Sequence, residues 1–176
     1  MKFNIALFSL VTLGFASSAF ADNGTINFQG LIVQDSCVVS VTGGTSSTLV
    51  TLPTVEVGDL QNAGDISAES APFKFDVTGC DAVNAANGVS FQLSGSYDAN
   101  DQNLLSNTGA ATNVGIELLE DRQPIQFAGN THTTTSIAVD ANGDGSSKSF
   151  IARYKATDAA TAGTVASSVN WQLIFN

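Results

Sequence analysis

Residues 165–176, Val-Ala-Ser-Ser-Val-Asn-Trp-Gln-Leu-Ile-Phe-Asn, constrain the fold more than any other stretch. Val169, Trp171, Leu173 and Phe175 fall on one face. Ser168, Asn170 and Gln172 fall on the other, with Ile174 out of step. This alternation predicts a half-buried β-strand. It stops one residue before Asn176, so no later hairpin strand is expected to cover its far edge. A long apolar edge is a liability that proteins blunt with charge, proline or a bulge. Between Ala159 and Asn176 there is neither a charged residue nor a proline. The edge is therefore expected to be covered by an earlier strand or by another chain.

The opposite end of the sequence bears on that choice. Residues 1–21 read as a secretory signal: Lys2 is the only charge, an apolar run fills 5–15, and Ala19-Phe20-Ala21 is an A-x-A cleavage site. The run is too short to span a bilayer, and no other segment is long enough, so no membrane span is expected after cleavage. Cleavage leaves 155 residues, 176 less 21, and moves the net charge from −10 to −11 as Lys2 departs. That length suits one domain with a substantial core. The acidity argues against nucleic acid and anionic lipid surfaces as partners. Next comes a second alternating stretch, with Gly24, Ile26, Phe28, Gly30 and Ile32 on one face and Thr25, Asn27 and Gln29 on the other. The expected division is a signal at 1–21, an arm at 22–33 and a single β-domain at 34–176.

Cys37 and Cys80 are the only cysteines. An even count in an exported chain argues for one disulfide, closing a loop of about 44 residues, with two free thiols as the alternative. In the loop-entropy account such a bond is worth roughly 4 kcal/mol.

Between these landmarks the pattern is one of short strands and turns. Strands are predicted at 38–41, at 48–52 before Pro53, and through Phe73, Phe75 and Val77. Others are predicted through Val89, Phe91 and Leu93, and through Val114, Ile116 and Leu118. Residues 125–127 and 136–139 are short candidates, and Phe150, Ala152 and Tyr154 mark a longer one. Residues 58–71 and 95–112 read as loop. Eight to ten strands at turn-punctuated spacing predict an all-β sandwich.

Little in the chain suggests catalysis. His132, the only histidine, sits in a polar run and reads as a solvated loop residue. A triad or metal site would need partners beside it. The sequence Asp140-Ala-Asn-Gly-Asp-Gly matches the first half of a calcium loop. However, Ile151 stands where the bidentate glutamate belongs, and a glycine-rich turn accounts for the residues better. Asp76 and Glu117 alternate with apolar neighbours and read as a solvated strand face. Asn23-Gly24-Thr25 is formally a glycosylation sequon, a match frequent by chance. No catalytic residue, metal site or cofactor is predicted.

Several features together identify a family. They are Phe28-Gln29-Gly30 ahead of the first cysteine, the Cys37/Cys80 spacing, Thr112-Asn113-Val114-Gly115-Ile116-Glu117-Leu118, and Phe150-Ile151-Ala152-Arg153-Tyr154 followed by Ala156-Thr157. Gly163, fourteenth from the end, and an aromatic at the penultimate position complete the set. The chain resembles the pilins of the chaperone–usher pathway, in particular the major subunit of type 1-like fimbriae. That family usually carries tyrosine where this chain has Phe175, so the ring is kept and the hydroxyl lost.

The resemblance implies an incomplete immunoglobulin-like Greek-key sandwich lacking its last strand. It implies a groove beside the final strand, with Gly163, Val169, Trp171, Leu173 and Phe175 as the acceptor edge. A periplasmic chaperone fills that groove first. At the outer-membrane usher the arm of the next pilin replaces it, with Gly24, Ile26, Phe28, Gly30 and Ile32 as the donor face and Gly30 over a shallow part of the groove. Strand addition of this kind is a known mode of recognition, and head-to-tail repetition gives an open helical polymer. The implied setting is a fimbria on a Gram-negative cell surface, reached through the periplasm and supporting adhesion. The alternative is a minor or single-domain adhesive subunit that binds a host glycan. A two-domain adhesin is not expected, because only residues 22–36 would precede Cys37.

Overall fold

The computed structural model describes residues 37–42, 44, 48–81, 85–145 and 147–176. The expected signal, the arm with Gly24, Ile26, Phe28, Gly30 and Ile32, and the sequon at Asn23 lie outside the described residues. Among the described residues there are nine strands: β1 Val38–Val41, β2 Ala71–Thr78, β3 Val89–Gly95, β4 Leu104–Leu105, β5 Val114–Glu120, β6 Gln123–Pro124, β7 Thr131–Thr133, β8 Lys148–Ala156 and β9 Val169–Phe175. Two single-turn 3-10 segments, Val57–Asp59 and Ala128–Asn130, complete the described elements, with no α-helix among them.

The strands form two sheets. The first runs β1-β2-β8-β5, with β4 and β6 both pairing to the outer side of β5. The second runs β7-β3-β9. Every ladder is antiparallel. An immunoglobulin sandwich places strands A, B, E and D in one sheet and C, F and G in the other, with Greek-key connections. Here β1, β2, β8 and β5 stand in the A, B, E and D positions, and β3 and β9 stand in C and F. Among the described residues, none forms a strand in the G position. Among the described strands the second sheet ends at β9, which pairs with β3 from Val89↔Phe175 to Gly95↔Val169.

The core follows from the alternation. Phe73, Phe75 and Val77 of β2 are buried, and Lys74 is exposed. Phe73 stacks on Phe150 at 5.2 Å between centroids, and Phe75 lies 4.5 Å from Phe91 across the sandwich. Cys37 and Cys80 are joined, as expected. The bond fastens the start of β1 just past the end of β2.

Three expected strands turn out otherwise. Residues 48–52 form no ladder with any described residue, although Val50 and Leu52 pack against the core. Residues 125–127 bury Ile125 and Phe127 but split their backbone bonds between two segments. The Ile125 N–H donates to the Leu118 carbonyl and the Phe127 N–H to that of Gln102. Residues 136–139 make only isolated bridges, through Ile137 and Val139. Conversely, the expected loop at 95–112 contains the buried strand β4.

Two charge readings are corrected. Glu117 is not on a solvated face; it is 2% exposed. Its carboxylate is met by Arg153 Nη2 at 2.5 Å and Lys155 Nζ at 3.3 Å, cations placed beside it by the β5–β8 ladder. His132 is not a loop residue; it lies in β7, paired opposite Leu93 of β3. Its Nε2 sits 2.9 Å from the Glu120 carboxylate.

Candidate functional site

The edge of β9 that pairs with no described strand borders a mainly apolar groove of about 580 Å³. One wall is residues 167–171 at the start of β9, and the other is Val41 with residues 48–50 and Leu52. The floor is laid by the inward side chains Phe73, Phe75, Leu105, Ile116, Leu118 and Ala152, from four strands of the first sheet. The groove therefore exposes the sandwich core along the gap between the A-position and F-position strands.

Burial along β9 records the same gap. Val169, Trp171, Leu173 and Phe175 all face the core and pack against it, yet each is only half-buried. The equivalent face of β2, built on the same alternation, is buried. The difference lies in the neighbours: β2 is flanked by β1 and β8, whereas β9 has β3 alone among the described residues. Leu49, on the opposite wall, is 87% exposed. A strand laid in this groove would cover several large apolar side chains, each worth about 1.5–3 kcal/mol when fully buried.

Of the predicted acceptor residues, Val169 and Trp171 line the groove, while Leu173 and Phe175 continue the same face toward the chain end. Asn176 pins that end: its Nδ2 donates to Ser90 Oγ at 2.9 Å and Ser136 Oγ at 2.8 Å. Phe175 is opposite Val89 in the ladder.

Gly163 lies elsewhere. It borders a second cavity of about 430 Å³, lined also by Val55, Leu60, Val114, Tyr154 and Val165. A Cβ on Gly163 would fall 2.5 Å from the Ala111 nitrogen. Only a glycine lets residues 161–166 run this close to 107–112, where the Ala111 N–H reaches the Thr164 carbonyl at 3.0 Å. Sequence reasoning missed the 48–52 wall and the contribution of β4 to the floor. The signal at Val50 and Leu52 was there, but an apolar pair before a proline reads equally well as an ordinary strand.

The far side of the sandwich is closed by charge. Glu120, at the end of β5, binds Lys148 Nζ of β8 at 2.6 Å and His132 Nε2 of β7 at 2.9 Å. It also accepts the Thr135 N–H and hydroxyl, both at 2.8 Å. Burial pushes this carboxyl up, but the His132, Lys148 and Thr135 donors outweigh it and hold it at about 2, against an ordinary 4.5. Because β7 belongs to the second sheet and β5 and β8 to the first, this carboxylate ties the two sheets together.

The 140–145 turn is organised by its own hydrogen bonds. The Asp140 carboxylate accepts the N–H groups of Asn142 at 2.8 Å and Asp144 at 2.9 Å. Gly143, at φ 85°, brings its carbonyl to the Cys80 N–H at 2.8 Å. Among the described residues there is no cluster of three or more His, Cys, Asp or Glu side chains arranged to hold a metal.

Comparison with known proteins supplies the context for this geometry. The family model described as "Fimbrial protein" matches residues 26–176. The chain is similar to the major fimbrial subunit SMF-1 of Stenotrophomonas maltophilia (strain K279a), 37% identical over 166 residues, covering 90% of this chain and 96% of that one. It is also similar to the type-1 fimbrial protein A chain of Salmonella typhi, 34% identical over 146 residues, covering 80% and 76% respectively. Its fold is that of a subunit in a solved chaperone–usher pilus, with a TM-score of 0.65 at 17% identity, covering 92% of this chain and all of that one.

Proposed function

The chain belongs to the fimbrial protein family, and from that premise we propose that it polymerises by donating its arm, residues 22–33, to the β9 groove of a neighbouring copy. The acceptor is the gap between β9 and residues 48–52. The donor face is Gly24, Ile26, Phe28, Gly30 and Ile32, and the acceptor edge is Val169, Trp171, Leu173 and Phe175. Gly163 acts through the backbone path that leads into β9. Before polymerisation a periplasmic chaperone occupies the groove, and an outer-membrane usher exchanges it for the next arm. The product is a surface fimbria that supports adhesion.

One observation carries this reading. The core-facing side of β9, Val169, Trp171, Leu173 and Phe175, stays half-buried, whereas the corresponding face of β2 is buried. A strand on its free edge would complete the G position of the sandwich and cover that face. The backbone groups along it would gain partners worth ~0.5–1.5 kcal/mol each. Ordering the arm costs ~1–2 kcal/mol per residue, so apolar burial by Ile26, Phe28 and Ile32 must supply most of the surplus.

The test is assembly in cells with chaperone and usher present. Deleting residues 22–30 should leave subunit that the chaperone still captures but no fibres. Phe28→Asp should do nearly the same, because an unpaired charge in an apolar groove costs several kcal/mol. Fibres formed by the deletion variant at wild-type length would overturn the proposal.

A further inference from the structure

The second cavity and one exposed valine are left unexplained by strand donation alone. The cavity is bordered by Val55, Leu60, Val114, Tyr154, Gly163 and Val165, and it adjoins the groove along the chain, since residues 160–165 line the one and 167–171 the other. The valine is Val38, which is 64% exposed at the first position of β1, beside the Cys37–Cys80 bond. Val39 and Val41, in the same strand, pack against the core.

We propose that Val38 of one copy seats in the Gly163 cavity of the copy that its arm has entered. The occupant is thus a second copy of this chain, and the inference rests on the strand-donation reading. Every ladder among the described residues is antiparallel, and antiparallel pairing is the more stable form per residue. An arm laid antiparallel on β9 with the two alternations in phase puts Gly24 opposite Phe175, Phe28 opposite Trp171 and Ile32 opposite Ser167. From Ile32 the incoming chain runs on toward the residues that border the cavity. Val165 to Gly163 lie two to four residues beyond Ser167, about 7–13 Å along an extended chain. Five residues lie between Ile32 and Val38, and the six steps can span up to about 20 Å. The tether therefore delivers the incoming sandwich to this cavity and is short enough to keep it there. An exposed apolar side chain at that corner of the incoming copy meets a cavity of about 430 Å³ in which Val55, Leu60, Val114 and Val165 supply apolar surface beside Thr54, Glu56, Thr161 and Thr164. The contact would fix the angle between successive subunits, which a flexible strand linkage alone leaves free.

Paired cysteines test the contact in assembled fibres. Val38→Cys with Ala162→Cys reports the proposed seat. Asn27→Cys with Gln172→Cys, which face each other in the same register, reports strand donation itself. Both pairs should give covalent ladders of subunits on mild oxidation. A ladder from the Asn27/Gln172 pair without one from Val38/Ala162 overturns the seat and leaves strand donation standing. Fibres that ladder with neither pair overturn both. A second measurement needs no new cysteine. Val38→Asp should leave the unfolding midpoint of a self-complemented monomer unchanged, because Val38 is exposed there. The same substitution should make fibres dissociate in denaturant about tenfold faster, the equivalent of one lost valine burial. Fibres of Val38→Asp as durable as wild type would also overturn the seat.

Discussion

The indole of Trp171 meets the ring of Phe75 edge to face, with centroids 5.5 Å apart and planes 76° apart. Phe75 is among the most buried side chains of the first sheet. Trp171, the only tryptophan, belongs to the second sheet and is half-buried at the groove it lines. Contacts of this geometry add ~0.5–1.5 kcal/mol beyond area burial. This one holds β9 against the core, at a strand that pairs with β3 alone among the described residues.

Gly163 should tolerate no side chain. In Gly163→Ala the added Cβ would stand 2.5 Å from the Ala111 nitrogen and 2.8 Å from the Ala110 carbonyl carbon. Both are backbone atoms, which cannot swing aside. The expected loss is about 1–3 kcal/mol in urea unfolding of a self-complemented subunit. Gly58→Ala, where a Cβ meets nothing within 4 Å, is the control and should shift stability by no more than about 0.5 kcal/mol.

The Glu120 tie should make the fold acid-sensitive in a defined window. The carboxyl titrates near 2 in the fold and at 4.5 ordinarily. A depressed carboxylate contributes stability that is fully present above the unfolded value and is lost as the pH falls from about 4.5 through about 2. The contribution is about 3 kcal/mol at 1.36 kcal/mol per unit. Unfolding free energies measured from pH 6 to pH 2 should fall steeply for the native chain. They should fall less steeply for Glu120→Gln, which is already weaker at pH 6 because Lys148 has lost a buried partner.

The disulfide should stabilise the subunit by tying the start of β1 to the end of β2. Cys37 and Cys80 are 43 residues apart in sequence, so replacing both with serine should cost roughly 4 kcal/mol of subunit stability. Denaturant unfolding of the reduced and oxidised forms, compared with the double variant, measures this directly.

Much of the architecture was legible because its strands are amphipathic with period two. β2, β3, β8 and β9 announce themselves through Phe73 to Val77, Val89 to Leu93, Phe150 to Tyr154 and Val169 to Phe175. The lack of charge across 160–176 marks the last strand as one without the usual edge protection, and among the described residues β9 pairs with β3 alone. Hidden instead was whatever depends on partners distant in sequence. Glu117 looks like a surface acid until the β5–β8 ladder sets Arg153 and Lys155 beside it. His132 looks solvated until β7 aligns it with Glu120. The second wall of the groove was hidden for a related reason: residues 48–52 read as a strand, but no described residue pairs with them.

Fusing residues 22–33 after Asn176 through a short flexible linker tests the central claim most directly. The measurement is the denaturant midpoint of the purified fusion, followed by Trp171 emission, beside the same fusion carrying Phe28→Asp. The arm should fold back antiparallel to β9, giving a monomer with blue-shifted emission and a midpoint well above that of the Phe28→Asp fusion. Equal midpoints for the two fusions, with Trp171 emission unchanged between them, would contradict strand donation by this arm to this groove.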